Sequence, residues 1–126
     1  MSIVRLLVTA ILLAAAIVPA EAAPKCKPIA PARITQMWDY YRSQPTASAP
    51  AREGEFQCVS IEAAYQVVCR TRSTHYAHPS IVIRTVVQKG IAINVRTEAD
   101  TAAKCDAFLG LMDEYNQLTK DTFGGL

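Results

Sequence analysis

Four cysteines, two histidines and a run of arginines without neighbouring acids are the residues of this 126-residue chain whose types and spacing could do chemistry. Cys26, Cys58, Cys69 and Cys105 form an even set with no C-x-x-C pair. Zinc usually takes its thiolates from such close pairs, so two disulfides are the expectation and no metal site is. Four cysteines allow three connectivities. Cys58–Cys69 with Cys26–Cys105 is preferred: the first would cross adjacent strands, the second would tie the two helical ends of the chain. A directly opposed cross-strand bridge is geometrically tight, so bridges from the sheet to Cys105 and Cys26 stay open.

Both histidines, His75 and His78, lie in residues 72–80 with Tyr76 between them. As a catalytic site this segment lacks parts. A nucleophile needs a base and an orienting partner, no carboxylate follows until Glu98, and no G-x-S-x-G elbow surrounds Ser73 or Ser80. Two histidines also fall one short of the protein ligands a catalytic zinc takes. The segment reads as a polar loop suited to contacts. There is no phosphate-cradling glycine loop and no cofactor fingerprint, so no cofactor is expected.

The net charge is only +2, but it is unevenly spread. No acid occurs between Ala63 and Thr97, where Arg70, Arg72, Arg84, Lys89 and Arg96 fall; from Glu98 onward acids dominate. Strand parity assigns Arg70, Arg84 and Arg96 to one outer sheet face with Asn94, Gln57 and Gln66. Guanidinium groups on such a face can fork onto carboxylates, sulfates or phosphates. The aromatic platforms of a single-strand nucleic-acid binder are missing from that face, so no nucleic-acid partner is expected.

These residues must be positioned by a small exported domain. Arg5, the apolar run of residues 6–20 and Ala20-Glu21-Ala22 read as a signal peptide cleaved after Ala22. The run is too short to span a bilayer, so no stable membrane span is expected after cleavage. Residues 23–126 then form one small domain in the periplasm or outside the cell. Pro31 can open a helix, and Ile34, Met37, Trp38 and Tyr41 form its apolar stripe to residue 43, with Tyr40 off the stripe. Residues 44–55 read as an exposed connection.

From Phe56 the period is two. Two strands pair around residues 62–65, and two more meet at a three-residue loop, Gln88-Lys89-Gly90, that sets Ile83 opposite Val95 and Arg84 opposite Asn94. Thr97 or Asp100 then caps a final helix whose face carries Cys105, Phe108, Leu109, Met112, Tyr115 and Leu118; it ends near Lys120, leaving 121–126 frayed. The expected fold is α+β: a four-stranded antiparallel meander with an N-terminal and a C-terminal helix on one face (α-β-β-β-β-α), stapled by disulfides.

The functional expectation is a non-catalytic binding, inhibitor or accessory module. It would meet a protein or an anionic envelope component through Arg70, Arg84, Arg96 and Asn94 with His75, Tyr76 and His78. The alternatives are a small envelope hydrolase using His75 or His78 as general base, and a structural subunit of an envelope assembly.

Overall fold

A computed structural model describes residues 26–123; residues 1–25, with the expected signal peptide, and the last three residues lie outside them. Helix α1 (Pro31–Arg42) is followed by strands β1 (Ala51–Glu53) and β2 (Phe56–Ile61), a 3₁₀ turn (Glu62–Ala64), β3 (Gln66–Thr71), β4 (Ser80–Lys89), β5 (Ala92–Thr101) and helix α2 (Cys105–Phe123). The strands form one antiparallel sheet in the order β1-β2-β3-β4-β5. The fold is therefore α+β with an antiparallel sheet, as expected, but with five strands instead of four. The extra strand, β1, comes from within residues 44–55, where Gly54 at φ +58° allows the tight return that sets Glu53 opposite Phe56.

The helices cover opposite faces, which corrects the one-faced arrangement. Ile34 and Trp38 of α1 pack with Val59, Ile61, Val68, Ile81 and Ile83. Phe108, Leu111 and Tyr115 of α2 pack with Val82 and Ala77, joined by Phe56 and Ala99. Ile81, Val82 and Ile83 are consecutive and all buried, so β4 is a central strand enclosed on both sides. Proline at the first turn starts α1 with its φ already set, and Arg42 in the last turn complements the helix dipole.

Enclosure also explains why the last hairpin pairs differently. The turn is the two-residue Gly90-Ile91, between Lys89 and Ala92, with Gly90 left-handed at φ +61°. Ile83 faces Glu98, not Val95, and Arg84 faces Thr97, not Asn94. The expected register assumed one wet face for the charged residues; with a helix on each side that constraint disappears. Thr97 and Asp100 belong to β5 and cap nothing, because the ladder continues to Ser80 opposite Thr101. Helix α2 starts at Cys105 and continues through Phe123, beyond the expected end at Lys120.

Both preferred disulfides are present. Cys58 and Cys69 stand directly opposite in the β2–β3 ladder, 4.1 Å apart at Cα. Cys26 joins Cys105 at the start of α2, with 5.7 Å between their Cα atoms. Between Cys26 and α1 the chain runs as a strap past the end of β5, where the Ile29 N–H donates to the Thr101 carbonyl at 2.8 Å. Because Cys26 packs in the α2 cluster and Ile29 in the α1 cluster, this strap connects the two layers.

Candidate functional site

The end of β3 meets the histidine loop and the first turn of α1 around a polar cavity of about 480 Å³. Its chemistry comes from Arg70, Arg72, His78, Ser73, Gln57 and Thr35, and none of its lining residues is acidic. Arg70 is held by two constraints. Its Nε and Nη2 donate to Gln57 Oε1 at 3.0 and 2.6 Å, and its guanidinium lies 4.6 Å from the centroid of the Trp38 ring. Cross-strand pairing sets the first contact, since Gln57 stands opposite Arg70. The second fixes the plane of the fork over an aromatic face. Burial, then the nearby charge of Arg42, lowers the pKa of Arg70 from its ordinary value. A bound anion acts in the opposite direction and stabilises the charged form.

The two histidines do not form a pair. His75 is buried; its Nδ1 accepts the Ala77 N–H at 2.9 Å, and its ring is stacked on Tyr76 with centroids 4.4 Å apart. It is a loop-building residue whose Nδ1 is already used. His78 is exposed and contributes to the cavity. Its Nδ1 lies 3.0 Å from Thr71 Oγ1 and 3.1 Å from the Thr71 carbonyl, which can only accept, so Nδ1 carries a proton and donates. The other ring nitrogen remains for a ligand. The loop is pinned from below by Thr71 Oγ1, which accepts the Ser80 N–H at 2.9 Å, and by Ser80 Oγ, 2.6 Å from Thr101 Oγ1.

Of the seven residues expected to make the binding surface, the structure brings only Arg70 and His78 to one cavity, where Gln57, expected on the sheet face beside Arg70, joins them. Arg84 faces α2, with its guanidinium 5.6 Å from the Tyr115 ring centroid. Arg96 and Asn94 have the parity of Arg70 but stand opposite Thr85 and Val87, toward the tip of the hairpin, and Arg96 pairs with Glu98 at 3.0 Å. Sequence reasoning missed Arg72 and Gln57 as site residues. Both could have been found: Gln57 follows from the Cys58–Cys69 register, and Arg72 from its place where β3 ends.

Arg84 belongs to a second cavity of about 450 Å³ on the α2 face, lined by Val67, Val86, Val95, Tyr115 and Leu118 beside the Cys58–Cys69 bridge. Glu53, Cys58 and Cys69 place one donor atom each within 4.8 Å, but both sulfurs are in the bridge and neither is a thiolate able to hold a metal.

Tyr76 crosses α2 at Gly110, where an added Cβ would lie 3.4 Å from its hydroxyl, and donates that hydroxyl to Glu114 Oε1. This hydrogen bond, then burial, pushes its pKa up to about 12. Burial pushes Tyr115 up to about 12 as well. Both phenols ionise earlier in the unfolded chain, at their ordinary value near 10. Their contribution is therefore complete below pH ~10 and is lost as pH rises toward 12. Absorbance at 295 nm should show Tyr76 and Tyr115 among the late phenols of the native protein, one fewer late phenol in Tyr76→Phe, and stability should fall across that window. Titration of both below pH ~10 would contradict these environments.

The chain matches no protein-family model, no curated protein and no solved structure. The site must therefore be read from its own chemistry.

Proposed function

We propose that the chain is an exported binding module that recognises an anionic group, a carboxylate, sulfate or phosphate on a partner, in the cavity beside the histidine loop. The observation that carries this reading is the convergence of Arg70, Arg72 and His78 on one polar cavity without a lining acid. Arg70 is already oriented by Gln57 and Trp38, so little of its side-chain freedom remains to be lost on binding. Two disulfides suit an oxidising compartment. No helix among the described residues is long and apolar enough to cross a membrane. The partner is a protein or an anionic envelope component, and the role is that of an inhibitor or accessory subunit.

Trp38 is the chain's one tryptophan and lies under the Arg70 guanidinium, so it supplies a built-in reporter. Titration with sodium sulfate or phosphate at constant ionic strength should change Trp38 fluorescence saturably. Replacing Arg70 and Arg72 together by methionine should weaken the midpoint by about tenfold or more, the scale of losing a charged hydrogen bond. A linear response in the native protein, or an unchanged midpoint in the variant, would reject the assignment.

A further inference from the structure

The two edges of the sheet differ. On the β1 side the strand has three residues, and the chain before it follows β2 only irregularly, through the Ser48 N–H on the Ser60 carbonyl and the Ala47–Ile61 bridge, so that edge is short and interrupted. On the other side β5 runs ten residues without a bulge or a proline and, among the described residues, has a strand neighbour on one side only. A long, regular edge of this kind is a template for strand pairing, and its charged residues, Arg96, Glu98 and Asp100, restrict which strand it can accept.

The direction of its backbone groups can be assigned. The Thr101 carbonyl accepts from Ile29, outside the sheet, while the next residue, Ala102, donates its N–H back to Pro79 beside β4. Peptide groups of an antiparallel strand alternate in direction, so those of Ile93, Val95, Thr97 and Ala99 point away from β4. The strap at Ile29 occupies only the Thr101 end.

We infer that β5 pairs with β5 of a second copy of this chain, antiparallel, about a two-fold axis at Thr97. The side chains select this register. With Thr97 opposite its copy, Arg96 faces Glu98 of the second chain, Glu98 faces its Arg96, and Asn94 faces Asp100. Val95 meets Ala99 on the other side of the sheet. Moving the axis to residue 96 sets Arg96 against Arg96, and moving it to 98 sets Glu98 against Glu98; like charges directly opposite oppose pairing. An odd shift in sequence sum is excluded because outward groups would face inward ones. Arg96 and Glu98 already adjoin within one strand at 3.0 Å, with their side chains 61% and 57% exposed. The edge thus carries a self-complementary charge pattern, the requirement for an isologous contact.

The test is sedimentation of the disulfide-intact protein from micromolar to millimolar concentration. The native chain should dimerise. Arg96→Glu and Glu98→Arg should each raise the dissociation constant at least about tenfold, because each creates two like-charge pairs in its own homodimer. Mixing these two variants should restore association, since each then offers the other the opposite charge. Thr97→Pro, which removes the central outward donor at an edge where the monomer does not use it, should abolish dimerisation with an unchanged circular dichroism spectrum. Thr97→Cys should form an intermolecular disulfide with itself. A native chain that stays monomeric at millimolar concentration, a mixture that associates no better than either variant alone, or a dimer that survives Thr97→Pro would overturn the inference.

Discussion

Replacing Cys26 and Cys105 together by alanine is expected to destabilise the protein by about 4–5 kcal/mol. The bridge spans 79 residues in sequence, so the unfolded chain without it gains the entropy of a long open loop. A domain of this size has a total stability on the order of 5–15 kcal/mol, which leaves the variant close to unfolding. Cys26 also packs against the α2 cluster, and the strap it anchors holds the end of β5 through Ile29. The Cys58–Cys69 bridge closes only 11 residues and its removal should cost about 3 kcal/mol by the same argument. Urea unfolding of both double variants measures the order. A smaller loss at Cys26 and Cys105 than at Cys58 and Cys69 would show that loop closure is not the governing contribution.

Trp38→Ala carries the second large effect, about 3–5 kcal/mol. Trp38 is 2% exposed and fills the α1 cluster between the helix and Val59, Ile61, Val68 and Ile81. The relaxation of a two-sided sheet around such a cavity is small, because β4 is held by α2 on its other face. The change also removes the platform under Arg70, so anion affinity should fall in any fraction that still folds. Trp38→Phe separates the two consequences: it keeps a ring under the guanidinium at a lower cost in packing. Thermal unfolding followed by far-ultraviolet circular dichroism reads the stability. A loss below about 1 kcal/mol for the alanine variant would mean the core is not organised around this residue.

Local chemistry was legible in the sequence where it depended on near neighbours. The stripe of α1, with Trp38 inside and Tyr40 out, followed from helical spacing. The Cys58–Cys69 alignment followed from alternation around a short turn, and it brought the second bridge with it by elimination. What depended on the number of layers was not legible. Ile81 to Ile83 could be read as an alternating half-wet strand, and only a helix on each face makes Val82 as buried as its neighbours. That single misreading moved the hairpin register, put Arg84 with Arg70, and turned the last third of β5 into a helix start. Arg84 was lost from the site for the same reason, since parity cannot say which face a residue occupies until the register is known, whereas Arg96 and Asn94 keep the parity of Arg70 and lie too far toward the hairpin tip.

The strap and its bridge have one more consequence. The segment from residue 44 to 50, between α1 and β1, is largely exposed and lies within the loop that Cys26 and Cys105 close. A protease cutting there divides the backbone but not the molecule: α1 stays covalently attached through Cys26 to the start of α2. Because α1 also stays packed on Val59, Val68 and Ile81, such a nicked form keeps its cavity of Arg70, Arg72 and His78 assembled from two chains. The ring that Cys26 and Cys105 close thus confers tolerance of proteolytic damage as well as stability, a property that suits the exported role proposed above.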